Sequence, residues 1–299
     1  MPARILVGTC SWADKTLVDS GKFYPPDVKS PEERLRFYAG QFPLVEVDST
    51  YYGLPAERNA ALWTERTPDS FTFDVKAFRM MTQHPTPPRA LPKDIREGLP
   101  EALAKKPNLY VKDMPRDAVD EVWKRFASAL LPLDSAGKLG VIVFQFPPWF
   151  LPVPENRDYL LEARERLPQY KVAVEFRNGR WLSEHNAPHT LSFLREHKLP
   201  LICVDEPQGF ENSVPPVAEA TADVALVRFH GRNSATWNKR GLTPAERFDY
   251  LYSEDELREW VPRVEKLAKD AREVHLLMNN CREDKAVAGA RQLQLLLLP

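Results

Sequence analysis

Apolar and polar positions along the chain fall into eight short, β-branched runs, nearly all ending in polar or charged residues. They are ILVGTCSW from Ile5, LVEVDSTY from Leu44, FTFDVKAF from Phe71, GVIVFQFP from Gly140, KVAVEFRN from Lys171, LPLICVDE from Leu199, VALVRFHG from Val224 and EVHLLMNN from Glu273. Stretches with a helical apolar period separate most of them. Alternation of that kind predicts a parallel sheet, and eight repeats predict a single α/β domain over residues 1–299, a closed (β/α)8 TIM-type barrel. Ser30-Pro31-Glu32-Glu33 and Ser253-Glu254-Asp255-Glu256 mark helix starts by capping boxes. Further helices are expected near 56–66, 117–130, 155–167 and 188–197, with a last one carrying Ala286, Ala290, Leu293 and Leu297 on one stripe. Two long connections interrupt the pattern: 80–116 after the third strand, rich in proline, and the segment after the seventh strand. Such excursions inside a compact fold serve as lids or binding loops, or merely cover the surface. Between Asp205 and Val224 the chain is proline-rich, so the sixth helix is expected to be short or missing.

In a barrel of this type the active site lies at the carboxyl ends of the strands. Those ends carry Asp48, Lys76, Gln145, Glu175, Arg177, Asp205, Arg228, His230, Asn279 and Asn280. Alternation puts Val45, Val47, Val172, Val174, Val227 and Phe229 on the helix-facing side, and hence Glu46, Asp48, Glu175, Arg177, Arg228 and His230 inside. An ionised group there must be paired or must face a wet pocket. Pairing alone, for example of Glu175 with Arg228, would make these charges structural. As a site, Glu175 and His230 are the expected proton carriers, with Asp205 orienting them. Arg177 and Arg228, with Arg232 nearby, would grip a carboxylate or phosphate, and Asn279 and Asn280 would fix hydroxyls. Asp48 and Lys76 add ligand contacts. Among the aromatics that follow the strands, Trp12 and Tyr51 are expected to stack on the ligand.

Net charge changes the picture little: at −1 there is no overall field to draw the chain to nucleic acid or to an anionic membrane. No apolar stretch is long enough to span a bilayer, and MPARILVGTCSW lacks the apolar core of a secretion signal. Three scattered cysteines, Cys10, Cys203 and Cys281, make no disulfide framework or zinc spacing, so a reduced, cytoplasmic protein is expected. No glycine-rich phosphate loop or GxSxG elbow occurs. Glu175, Asp205 and His230 on successive strands leave room for a divalent metal such as manganese or magnesium, but the neighbouring arginines repel a cation, and no cofactor is firmly implied.

GTCSWADK, Phe23-Tyr24-Pro25, VEVDSTYYGLP, KAF, LGVIVFQFPPWF, VEFRNGRW, VDEP, RFHGRN, YLYSEDELREW and MNN together resemble the DUF72, or YecE-like, family over nearly the whole chain. The resemblance implies a TIM-type barrel and supplies no reaction. Family patterns often read NST after the second strand and FNN on the eighth, where this chain has Asp48-Ser49-Thr50 and Met278-Asn279-Asn280.

The leading expectation is an enzyme, of hydrolase, lyase or isomerase type, for an anionic, hydroxyl-rich small molecule such as a phosphorylated sugar or nucleotide fragment. The alternatives are a nucleic-acid-processing barrel, with or without a metal, and a non-catalytic sensor or binding protein using the same residues.

Overall fold

The computed structural model describes residues 2–298. Its eight strands are β1 (Arg4–Thr9), β2 (Leu44–Val47), β3 (Thr72–Lys76), β4 (Leu139–Gln145), β5 (Val172–Glu175), β6 (Ile202–Asp205), β7 (Val224–Phe229) and β8 (Glu273–Met278). All pair in parallel, in the order β5-β4-β3-β2-β1-β8-β7-β6. β5 and β6 meet only at the Val174–Leu201 bridge, with Val174 N–H donating to Pro200 O at 2.8 Å. The result is a nearly closed (β/α)8 barrel.

Helices Pro31–Ala39, Glu57–Glu65, Arg116–Ala129, Pro154–Arg166, Ala187–Glu196, Val261–Asp270 and Lys285–Leu296 wrap the outside. Both expected capping boxes form, with Ser30 and Ser253 accepting from the backbone N–H three residues on. Several short helices lie outside the sequence expectation, among them Leu131–Ser135, Pro244–Arg247 and Lys15–Ser20, the last capped by Asp14. No helix separates β6 from β7, as the prolines there foretell. The 79–115 connection is built of tight turns and the short helices Lys93–Glu97 and Glu101–Ala104, tied by an antiparallel Thr86–Leu109 bridge. Among the described residues no helix is long and apolar enough to cross a membrane.

Strand alternation sorts the interior as expected. Val45, Val47, Val172, Val174, Val227 and Phe229 join the apolar layer under the helices. Inside, a smaller apolar cluster (Val141, Val143, Ala173, Ile202, Val224, Leu226) fills the lumen beside charged layers. The lower charged layer is Asp74 with His275, Nδ1 to Oδ2 at 2.9 Å, both fully buried. Burial disfavours the imidazolium, but Asp74 and then Glu273 more than reverse this and push His275 up to about 9. Because its pKa is raised on folding from an ordinary 6.5, the pair stabilises the fold fully below pH 6.5, and that contribution is lost as pH rises through 9. We expect the loss to be about 3 kcal/mol. Urea unfolding between pH 6 and pH 9.5, compared with an Asp74→Asn/His275→Gln double variant, checks it: identical slopes in the two proteins would exclude the linkage.

Candidate functional site

The carboxyl ends of β5, β7 and β8 bring five of the expected residues together. Glu175 Oε2 accepts from Arg228 Nη1 at 2.5 Å, and Glu175 Oε1 lies 2.6 Å from Arg177 Nε and 3.1 Å from His230 Nε2. Arg228 also donates to Glu46 Oε1 at 2.8 Å and to Gln145 Oε1 at 3.2 Å. Asn279 Nδ2 donates to His230 Nδ1 at 2.8 Å, and Arg177 Nη2 reaches the same nitrogen at 3.3 Å. With two donors on Nδ1, the histidine must carry its proton on Nε2 and give it to Glu175. Burial and the Arg177 charge hold His230 down to about 3, so the ring is neutral. Burial acts to raise Glu175, but Arg177 and Arg228 outweigh it and keep the carboxyl well below its ordinary range.

This cluster is sealed. Glu175 is 0% exposed, and Arg228 and His230 are 1% each. Arg228, placed by sequence reasoning as an anion grip, has its charge taken by two carboxylates and shows no face to a ligand. The ion pair of Glu175 with Arg228, weighed above as a structural use of these charges, is present.

Asp205 does not join Glu175 and His230. Its carboxylate accepts from Arg232 Nε at 3.0 Å and Nη2 at 2.7 Å, Tyr252 Oη at 2.7 Å and Trp260 Nε1 at 2.6 Å, which leaves it nothing to orient. For the same reason the metal set Glu175–Asp205–His230 does not form. Among the described residues no three His, Cys, Asp or Glu side chains are grouped to hold a metal. Asn280 turns away from Asn279 and donates to Tyr250 O at 2.8 Å. Trp12 packs edge-on against Trp63 and Phe73, where a large indole finds apolar partners.

Above the sealed layer the mouth is open. A cleft of about 290 Å3 is lined by Gln145, Pro148, Arg177, Asn212, Trp237, Asn238, Arg247 and Phe248. Arg177, its side chain 10% exposed, links the layers: Nη1 donates to Glu206 Oε2 at 3.1 Å, and the guanidinium lies 5.5 Å from the Trp237 ring centre. Arg247 donates to the carbonyls of Trp237 at 2.6 Å and Lys239 at 3.0 Å and pairs with no carboxylate among the described residues. The Asn212 and Asn238 amides bond each other at 3.1 Å. Across the mouth, Lys76 Nζ donates to Gln145 Oε1 at 3.1 Å and lies 4.8 Å from the centre of the Tyr51 ring. Tyr51 continues through His84 to Trp149 in a row of edge-on rings at 5.4 and 6.0 Å. Asp48, half-buried at the end of β2, is pushed up to about 6 by burial, with Lys76 opposing.

Two residues here lay outside the sequence reading. Glu206, buried beside Asp205, holds Arg177 and accepts from Val214 N–H at 2.7 Å. Burial raises it to about 7, against the pull of Arg177. Arg247 stands in the long loop after β7, where no periodicity assigns a face; only the density of polar and aromatic residues in that loop hinted at it.

The family model described as "Protein of unknown function DUF72" matches residues 6–298. The UPF0759 protein YunF of Bacillus subtilis is 34% identical over 298 residues, covering 98% of this chain and 94% of its own. A crystal structure of a DUF72 family protein from Thermotoga maritima superposes with a TM-score of 0.76 at 30% identity, covering 98% of this chain and 99% of that one. One from Enterococcus faecalis gives 0.77 at 27%, covering 98% and 95%.

Proposed function

The chain belongs to the DUF72 family, whose description stops at unknown function, and we propose from the site itself that it is an enzyme acting on a small anionic, hydroxyl-bearing molecule held in the barrel mouth. One observation carries this reading. Arg247 is fixed by two backbone carbonyls, lacks a carboxylate partner among the described residues, and faces a cleft that also offers Arg177, Trp237 and a pair of asparagine amides. A guanidinium oriented in advance and left without a counter-ion suits a phosphate or carboxylate. The indole and the amides suit a sugar or similar ring with hydroxyls. Glu175, His230 and Asn279 then serve as positioning residues: they set the angle of Arg177 from below. Proton transfer falls to groups that the mouth leaves open.

Calorimetric titration with ribose 5-phosphate and with inorganic pyrophosphate tests the reading. We expect at least one of them to bind, and Arg247→Ala to weaken it about tenfold or more, since roughly 1.4 kcal/mol corresponds to a factor of ten. Affinity unchanged in the variant, or no binding of either probe to the unaltered protein, overturns the anion role.

A further inference from the structure

Two buried or half-buried lysines of this protein sit in opposite circumstances. Lys138 is structural. It is 3% exposed, and its ammonium donates to Thr64 O at 2.7 Å, Thr67 O at 2.7 Å and Thr67 Oγ1 at 3.3 Å, closing the carboxyl end of the helix Glu57–Glu65. All three of its hydrogens are used. Lys76 ends β3 at the mouth, half-buried, with a single acceptor, Gln145 Oε1. Among the described residues it makes no ion pair, although Asp48, Glu46 and Glu175 lie in its surroundings along with Arg228. Its amine lies over Tyr51, and Gln145, which holds it, lines the cleft. Asp48 stands at the end of the adjacent strand with no donor on its carboxylate among the described residues.

We propose that Lys76 is an amine nucleophile that forms an imine with a carbonyl group of the bound anion, with Asp48 carrying the protons. The substrate class is then an anionic aldehyde or ketone, such as a sugar phosphate or an oxo acid. The inference rests on the anion site proposed above. A lysine removed from water beside a second cation is the setting in which the neutral, nucleophilic amine becomes available. Burial and then the Arg228 charge lower Lys76 from its ordinary range. The nitrogen lone pair attacks the carbonyl carbon, forming the C–N bond while the C=O π pair moves to oxygen. That oxygen takes a proton from Asp48, and the nitrogen gives one back to it. Asp48 then gives a second proton to the hydroxyl, which leaves as water as the nitrogen lone pair forms the C=N bond, and the iminium N–H returns that proton to Asp48, so amine and carbonyl become imine and water with no oxidant or reductant. The imine then withdraws electrons from the neighbouring carbon, the step that isomerisation and C–C cleavage share.

The test uses the full chain with D-glyceraldehyde or D-glyceraldehyde 3-phosphate, reduction by cyanoborohydride near pH 7, and peptide mapping by mass spectrometry. Lys76 is expected to be labelled at least tenfold faster than the exposed Lys15 and Lys105. Asp48→Asn is expected to slow that labelling roughly tenfold or more. The phosphorylated aldehyde should outpace the neutral one in the unaltered protein and lose its advantage in Arg247→Ala. Labelling of Lys15 and Lys105 with Lys76 unmodified overturns the proposal, and an unchanged rate in Asp48→Asn overturns the part given to the carboxyl. Equal labelling of Lys76 by both aldehydes supports the imine and refutes the anion site, so the two ideas fail separately.

Discussion

Glu175→Ala is expected to lower the unfolding free energy by about 3–5 kcal/mol, the range found when one partner of a buried ion pair is removed. Three groups lose their acceptor at once. Arg228 keeps only Glu46 as a carboxylate partner, Arg177 keeps only Glu206, and the His230 Nε2 proton has nowhere to go. Bulk water does not reach them, since Arg228 and His230 are each 1% exposed. Glu175→Gln keeps an oxygen acceptor and should cost clearly less than the alanine change. Urea denaturation of the three proteins measures this. A loss under about 1 kcal/mol in the alanine variant would falsify the view that Glu175 anchors the layer. The comparison also separates support from chemistry: a stable Glu175→Gln protein that still binds ribose 5-phosphate is the outcome expected of a positioning residue.

The second large effect is predicted at Gly8. Its Cα is paired with Leu44 in the β1–β2 ladder, and a Cβ built there would lie 1.9 Å from Leu44 O and 2.7 Å from its carbonyl carbon. Those are backbone atoms of a buried strand and have no rotamer by which to step aside. Gly8→Ala must therefore spread β1 from β2 or shift their register, at a cost of about 3 kcal/mol, the upper end for overpacked cores. Thermal melting checks it, and a variant that melts with the unaltered protein refutes the close approach. Gly137, also glycine and just before β4, makes a control of a different kind. Its φ is +66° and nothing lies within 4 Å of a built Cβ, so only backbone strain opposes a side chain there.

The barrel was legible because its signal is collective. Eight apolar runs alternate with helical stripes, and no single run had to be right; the inward faces of β2, β5 and β7 followed from a period of two. Capping boxes at Ser30 and Ser253 placed two helix starts for a local reason, a side chain reaching a backbone N–H three residues on. What stayed illegible lies past the strand ends. Asp205 and Glu206 are neighbours of the same charge. Sequence reasoning picks Asp205 as the last strand residue, with no face assigned on β6; Ile202 faces the lumen, so a period of two turns Asp205 outward to Arg232, Tyr252 and Trp260, and it is Glu206 that meets Arg177. Arg247 reaches the cleft through a loop whose path depends on tertiary contacts. Sequence reasoning brought Glu175, Arg177, Arg228 and His230 to one place. It could not tell a wet cluster from a sealed one, because exposure depends on which loops lie over the mouth.

The lone backbone link between β5 and β6 gives the inner charges a further job. The flanking seams, β4 with β5 and β6 with β7, are each laced at four positions, but at this seam almost nothing in the main chain resists parting. Arg177, just beyond β5, grips Glu206, just beyond β6, and Glu175 on β5 grips Arg228 on β7. The tube is thus buckled shut by its lining, and any motion that widens the seam must first unfasten the guanidinium facing the cleft.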